Sequence, residues 1–160
     1  MSLSLKEVTL VCFDTRNVEV ALESMDSSLS QAKFAESVLF TSKVLCSEDV
    51  INKAKMLDIK LEFVSEIKST TEYSYFILTE LYKYIHTEFC LVTQWDGWVI
   101  DSNFWDSNFL NYDYIGAIWP HYSENNIGNG GFSLRSKKLL ESTRDLMASS
   151  PNFTPPLIED

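Results

Sequence analysis

Phe89-Cys-Leu-Val92-Thr-Gln-Trp-Asp96-Gly-Trp98 is the stretch on which the reading of this chain turns. Its first four residues have the apolar content of a buried strand, and the run stops abruptly at Gln94-Trp95-Asp96-Gly97. A carboxylate is thereby left at the strand's carboxyl end, which is where ligands bind in an open α/β sheet. Downstream, Gly128-Asn-Gly-Gly-Phe-Ser-Leu-Arg135 supplies a glycine cluster that lets backbone approach a partner closely before a basic helix begins. The two stretches are expected to face one pocket.

Upstream of Asp96, strand and helix patterns alternate with short joins. Glu7-Val-Thr-Leu-Val-Cys-Phe13 reads as a central strand, and Asp14-Thr-Arg-Asn17 as the turn and helix N-cap that follow it. Val18, Ala21, Leu22, Met25 and Leu29 then recur at helical spacing. Strands are predicted over residues 37–41 and 60–64, with a helix over 48–57 between them. A long helical pattern over 73–86, with Phe76, Ile77, Leu81, Tyr84 and Ile85 on one side, delivers the chain to the strand ending at Asp96. Such alternation predicts a parallel sheet covered on both faces, with right-handed crossovers. Beyond Asp96 the spacing predicts a short helix or turn over 103–110, a strand over 112–118, a polar segment over 120–129, a brief strand over 131–134 and a helix over 136–147.

At 160 residues the chain is long enough for one well-buried domain, and no repeat or linker divides it. The net charge of −10 argues against a nucleic-acid binder, whose phosphate affinity comes from clustered Lys and Arg. An anionic substrate remains compatible if a bound cation supplies the missing charge. Cys12, Cys46 and Cys90 lack metal-site spacing and read as buried free thiols, which suits a reducing compartment. No apolar run approaches the ~20 residues of a membrane span. Met1-Ser-Leu-Ser4 lacks the basic and apolar pattern of a secretory signal, so a cytoplasmic location is expected.

Gln94-Trp95-Asp96-Gly97, then Tyr112-Asp-Tyr-Ile-Gly-Ala117, Trp119-Pro120 and Gly128-Asn-Gly-Gly-Phe-Ser-Leu-Arg135 together resemble an uncharacterised glycosyltransferase-like domain family. Val11 to Asn17 and the helix at Tyr73-Ser-Tyr-Phe76 fit it too, so the resemblance spans nearly the whole chain. That family is similar to GT-A nucleotide-sugar glycosyltransferases. The resemblance implies an α/β fold with a Rossmann-like mixed, mostly parallel sheet, and a divalent metal held by a DxD-type motif after a central strand. In such enzymes the last Asp of the motif commonly binds metal; here that role maps onto Asp96, while Gln94 stands where the first acid would be. Gln94 still offers hydrogen bonds to a hydroxyl. A single carboxylate needs the donor diphosphate and water to complete the shell of Mg²⁺ or Mn²⁺.

The same resemblance places Thr15 and Arg16 near the nucleotide, and sets Asn129, Gly130 and Gly131 along the donor and acceptor side of the cleft. Arg135 would help neutralise the diphosphate or simply cover the sheet edge. Related enzymes carry a Glu-Asp pair after a proline-containing loop, one member serving as general base; Glu159-Asp160 occupies that place at the end of the chain. The expectation is one glycosyltransferase-like domain over residues 1–160 that lacks a C-terminal portion. It would move a sugar from a nucleoside-diphosphate sugar to a hydroxyl acceptor, carbohydrate being the natural class. The rival is a non-catalytic module that holds a nucleotide sugar without turnover, favoured by Gln94 and the termination at Asp160. A bare aromatic surface would also permit self-association into a homo-oligomer. Asp96 before glycine is equally a common turn pair, and a phosphatase reading of Asp14 fails because Arg16 stands where a second acid is required. His86 at a helix end reads as structural, whereas His121, after Trp119-Pro120, falls on the expected cleft side.

Overall fold

The computed structural model describes residues 3–124, 126–128 and 130–150. Strand β1 (Leu3–Phe13) is buried without interruption from Val8 to Phe13, as a strand covered on both faces must be. Helix α1 (Val18–Gln31) runs directly into β2 (Ala32–Thr41). β2 starts earlier than the apolar run at 37–41 predicts, because Ala32 and Phe34 turn inward and pair with Leu3 and Leu5 of β1 while Lys33 and Ala35 face solvent. Helix α2 (Glu48–Met56), with Ser47 Oγ accepting from Val50 N at 3.3 Å, leads to β3 (Lys60–Phe63).

Helix α3 (Thr70–Thr79) then carries the chain across to β4 (Phe89–Thr93) on the other side of β1. The helical pattern over 73–86 is therefore broken: α3 ends at Thr79 and Leu81–Tyr84 form a 3-10 turn. The tighter turn buries Leu81 and Ile85 completely and brings Phe89 into β4. After β4 come two further 3-10 turns, Ser102–Phe104 and Ser107–Asn111, each started by an aspartate (Asp101, Asp106) whose carboxylate accepts a backbone N–H two residues on. Strands β5 (Tyr114–Gly116) and β6 (Ser133–Ser136) and helix α4 (Lys137–Ser149) complete the described chain.

The sheet order is β3-β2-β1-β4-β6-β5. β1 to β4 are parallel, and β6 runs antiparallel to both β4 and β5. This is the mixed, mostly parallel α/β architecture the sequence predicts, with helices on both faces. Leu10, Cys12, Leu39, Leu91 and Leu134 pack on one face with Leu22, Met25 and Val50 of α1 and α2. Val11, Phe13, Phe40 and Val92 pack on the other with Ile77, Leu81 and Leu140. A register shift between Leu5 and Thr9 keeps Leu5 and Val8 on the same face despite their odd spacing.

Phe40 is the hub of the second core. Its ring lies 5.8 Å from Phe13, 5.2 Å from Phe76 and 4.9 Å from Tyr84, and it has no exposed surface. Phe40→Ala is expected to cost about 3–5 kcal/mol in chemical denaturation. A second expectation concerns pH. Burial pushes the Cys90 thiol from 9.0 up to about 12, against the opposing charge of Arg135, and burial likewise holds Cys12 at about 12. Raised folded-state values favour the protonated thiols, so stability is intact below about pH 9 and falls as pH rises toward 12. Denaturation midpoints measured across that window should fall, and Cys90→Ala should flatten the alkaline limb.

Candidate functional site

Because β2 lies on one side of β1 and β4 on the other, the segments leaving their carboxyl ends diverge and open a crevice there. The first wall is the turn after β1. Asp14 Oδ1 accepts from Arg16 N at 2.7 Å and from Asn17 N, doing the capping work that the Asn17 side chain does not. The Asp14 carboxylate is thereby committed to backbone. The facing wall precedes α3: Ile67 N donates to Thr15 Oγ1 at 3.1 Å and Arg16 Nη2 to Lys68 O at 3.3 Å, so the two walls are tied together. Ser69 caps α3, Glu72 N donating to Ser69 Oγ at 3.2 Å, and the Glu72 side chain reaches back to accept from Lys68 N at 2.8 Å. Tyr73, Gln94 and Trp95 close a cleft of about 590 Å³.

Asp96 stands one residue beyond Trp95, in a turn closed by Gly97 N donating to Gln94 O at 3.1 Å. Its side chain is exposed and makes no hydrogen bond or ion pair with a described residue. Its charge and that of Asp14 both act, after burial itself, to raise the Cys12 thiol, so the two carboxylates share one end of the sheet. What holds the turn is α1. Ser24 Oγ lies 3.0 Å from Gln94 O and 2.8 Å from Gly97 O and shares its proton between them, while Ser28 Oγ accepts from Val99 N at 3.1 Å. Mid-helix serines gave no signal of this role in the sequence.

Two buried polar groups, the Tyr73 hydroxyl and the Arg135 side chain, belong to this end of the sheet, and the hydroxyl has no hydrogen-bond partner among the described residues. The Tyr73 hydroxyl is sealed from solvent; the Gln94 side chain lies beside it but outside hydrogen-bond geometry. Burial pushes this phenol up to about 12, against the pull of Arg135, so it stays a neutral donor. Arg135 is only 8% exposed, its Nε donates to Ser133 Oγ at 3.0 Å, and its guanidinium lies 5.3 Å from the centre of the Tyr114 ring. Among the described residues no carboxylate pairs with it.

The sequence-derived candidates fall into three groups. Thr15, Arg16 and Gln94 line the cleft, with Asp96 next to them and Trp95, 47% exposed, among the lining side chains. Gly130 and Arg135 do not line it: a Cβ on Gly130 would come within 2.8 Å of Arg135 Nη2, so the space Gly130 leaves is taken by the guanidinium. Gly131, two residues before β6, is half-buried. Asn129, Glu159 and Asp160 lie outside the described residues. His86 faces another cavity with Glu88 and Asp113 at the amino end of β4, and His121 sits between Trp119 and Tyr122, 5.6 and 4.5 Å from their ring centres. No group of three or more His, Cys, Asp or Glu that could hold a metal occurs among the described residues. Asp96 is the exposed carboxylate next to the cleft, and a metal held there would need ligand oxygens and water for the rest of its shell.

The fold is of the GT-A, Rossmann-like class, shared with solved glycosyltransferases. The galactosyltransferase LgtC, in complex with donor and acceptor sugar analogues, superposes with a TM-score of 0.65 at 14% identity, over 95% of this chain and 66% of its own. The mannosyltransferase PcManGT from Pyrobaculum calidifontis, in complex with GDP-Man and Mn²⁺, gives 0.58 at 14% identity over 85% of this chain and 46% of its own. The glycosyltransferase GlyE of Streptococcus pneumoniae TIGR4 gives 0.59 at 14% identity, with 96% and 40% covered. This chain thus spans between 40% and 66% of the length of these proteins. By sequence, the chain belongs to the family described as "Protein of unknown function (DUF5672)", whose model matches residues 53–152. No curated protein matches it in sequence. No helix among the described residues is long and apolar enough to cross a membrane.

Ser24→Ala should leave two buried-side carbonyls short of a donor and cost about 1–3 kcal/mol, read by urea denaturation. Trp95 and Trp98 flank that turn, so their fluorescence should show the loss locally as well.

Proposed function

We propose that this chain binds a nucleoside-diphosphate sugar with a divalent cation and transfers the sugar to a hydroxyl acceptor. The observation that carries the reading is Asp96: an exposed carboxylate with no partner among the described residues, at the end of a central strand, beside a polar cleft at the switch point. The GT-A fold of LgtC and PcManGT supports it, and the GDP-Man and Mn²⁺ bound by PcManGT suggest the ligand class.

Asp96 would hold Mn²⁺ or Mg²⁺, which when bound supplies positive charge to the leaving diphosphate. The chain's own residues do the rest. Thr15, Arg16 and the Ile67–Thr70 wall line the place for the nucleoside end, Gln94 offers an uncharged hydrogen bond to a sugar or ribose hydroxyl, and the exposed Trp95 face suits the C–H side of a sugar ring. Arg135, buried and without an acidic partner among the described residues, adds fixed positive charge that a bound anion would offset. Gly130 keeps the space that guanidinium occupies, and Asn129 and Gly131 flank it in sequence as hydroxyl-binding positions. Glu159 or Asp160 serves as general base toward the acceptor hydroxyl. Residues 1–160 form one glycosyltransferase-like domain in this reading.

A non-catalytic nucleotide-sugar module is the second reading, favoured by Gln94 in the place of an acid. Calorimetry with UDP, GDP and their sugars, with and without Mn²⁺, tests the site shared by both readings. Metal-dependent binding is expected, with at least about a tenfold loss in Asp96→Ala. Equal binding by the variant would overturn the assignment. Product formation with any donor separates the enzyme from the module.

A further inference from the structure

A second cavity, of about 510 Å³, lies on the α1 face of the sheet and has a different chemistry from the cleft. Its floor crosses five strands, from Ala32 and Leu5 through Leu91 and Leu134 to Ile115. At about 4.8 Å per strand the floor is roughly 19 Å long. The roof is the segment after the Asp96 turn, including Trp98, Ile100 and Phe104, the last two 81% and 83% exposed. Apart from tryptophan N–H groups, only Asp101 and Ser102 among the lining side chains are polar, and the Asp101 carboxylate already accepts from Asn103 N at 2.8 Å. A sugar placed here would bury hydroxyls without partners, at a cost that apolar contact does not return. A single alkyl or prenyl chain forfeits no hydrogen bonds and suits the length.

The cavity also reaches the candidate site. Phe132 lines it, and a Cβ on Gly97 would lie 3.5 Å from Phe132 Cδ2, so its rim abuts the turn that presents Asp96. Trp98, two residues after Asp96, is part of its wall. We propose that this cavity takes the apolar part of an amphiphilic hydroxyl acceptor, with the reactive hydroxyl head at the Asp96 end. The proposal rests on the donor-site reading above and narrows the acceptor from any carbohydrate to one joined to a hydrocarbon chain. Continuity with the Asp96 turn distinguishes this occupant from a second copy of the chain, which would need no access to that turn.

The test compares octyl glucoside with methyl glucoside, below the micellar concentration, by the fluorescence of Trp98 and Trp105 and by calorimetry on the full chain. The octyl compound should bind at least about tenfold more tightly, which burial of two methylenes alone supplies. Ala117→Trp, at the exposed mouth of the cavity, should abolish that preference and leave nucleotide binding unchanged. With a nucleoside diphosphate and Mn²⁺ present the octyl glucoside affinity should shift by a factor of a few, and Asp96→Ala should remove the shift while keeping the alkyl preference. Equal affinities of the two glucosides, or a preference that survives Ala117→Trp, would overturn the cavity assignment. A preference with no nucleotide coupling, or protein dimerisation that closes the cavity to octyl glucoside, would overturn the acceptor assignment. Absence of nucleotide binding to the wild type would instead sink the donor reading, and the acceptor role with it.

Discussion

The carboxyl edge of the sheet is organised by the second half of β1, which is paired to β2 on one side and β4 on the other and is buried on both faces from Val8 to Phe13. Such a strand cannot shift register without exposing one face of the core. The constraint continues past its end: Asp14 N donates to Phe40 O at 3.0 Å, and Val64 N to Thr41 O at 2.9 Å, so the ladder runs to the threshold of the cleft. Only then do the chains part. The position of Asp14 to Asn17 relative to Gln94 is therefore fixed by sheet pairing rather than by the loops themselves, and the loops add local ties. Thr15 anchors the wall at Ile67, and Ser24 anchors the turn at Gln94 and Gly97.

How much of this was legible in the sequence follows from how local each determinant is. β1, α1 and β4 were legible because their apolar residues are contiguous or regularly spaced. The first half of β2 was not, since Lys33, Ala35 and Glu36 dilute it and only pairing with Leu3 to Leu5 makes it a strand. The break after α3 was hidden for a similar reason: Leu81 and Ile85 keep helical spacing while the backbone tightens to bring β4 into line. That Thr15, Arg16 and Gln94 would line a cleft, with Asp96 next to it, was legible because all four lie within three residues of a strand end. Ser24 and Tyr73 were not, because their importance depends on partners 70 residues away or on burial at one atom. A serine inside a helix reads as a weak helix former and nothing more. Gly130 shows the limit of reading a glycine: its sequence context suggests room for a ligand, while the space beside it is filled by Arg135 of the same chain.

The charge balance of the proposed site gives the Gln94 substitution a physical meaning. An acidic pair would neutralise most of a divalent cation before any ligand arrived. In the proposed site Asp96 alone would leave a surplus positive charge for the diphosphate, and Arg16, which lines the cleft, would add to it in a chain whose net charge is −10. Coulomb attraction in such a site would favour the anionic ligand more strongly, while the cation itself would be held more weakly in the ligand's absence. Metal and nucleotide would then be mutually dependent, each supplying what the other lacks. On that proposal the site would take up its cation together with its donor, and the diphosphate would complete a shell that one free carboxylate only begins.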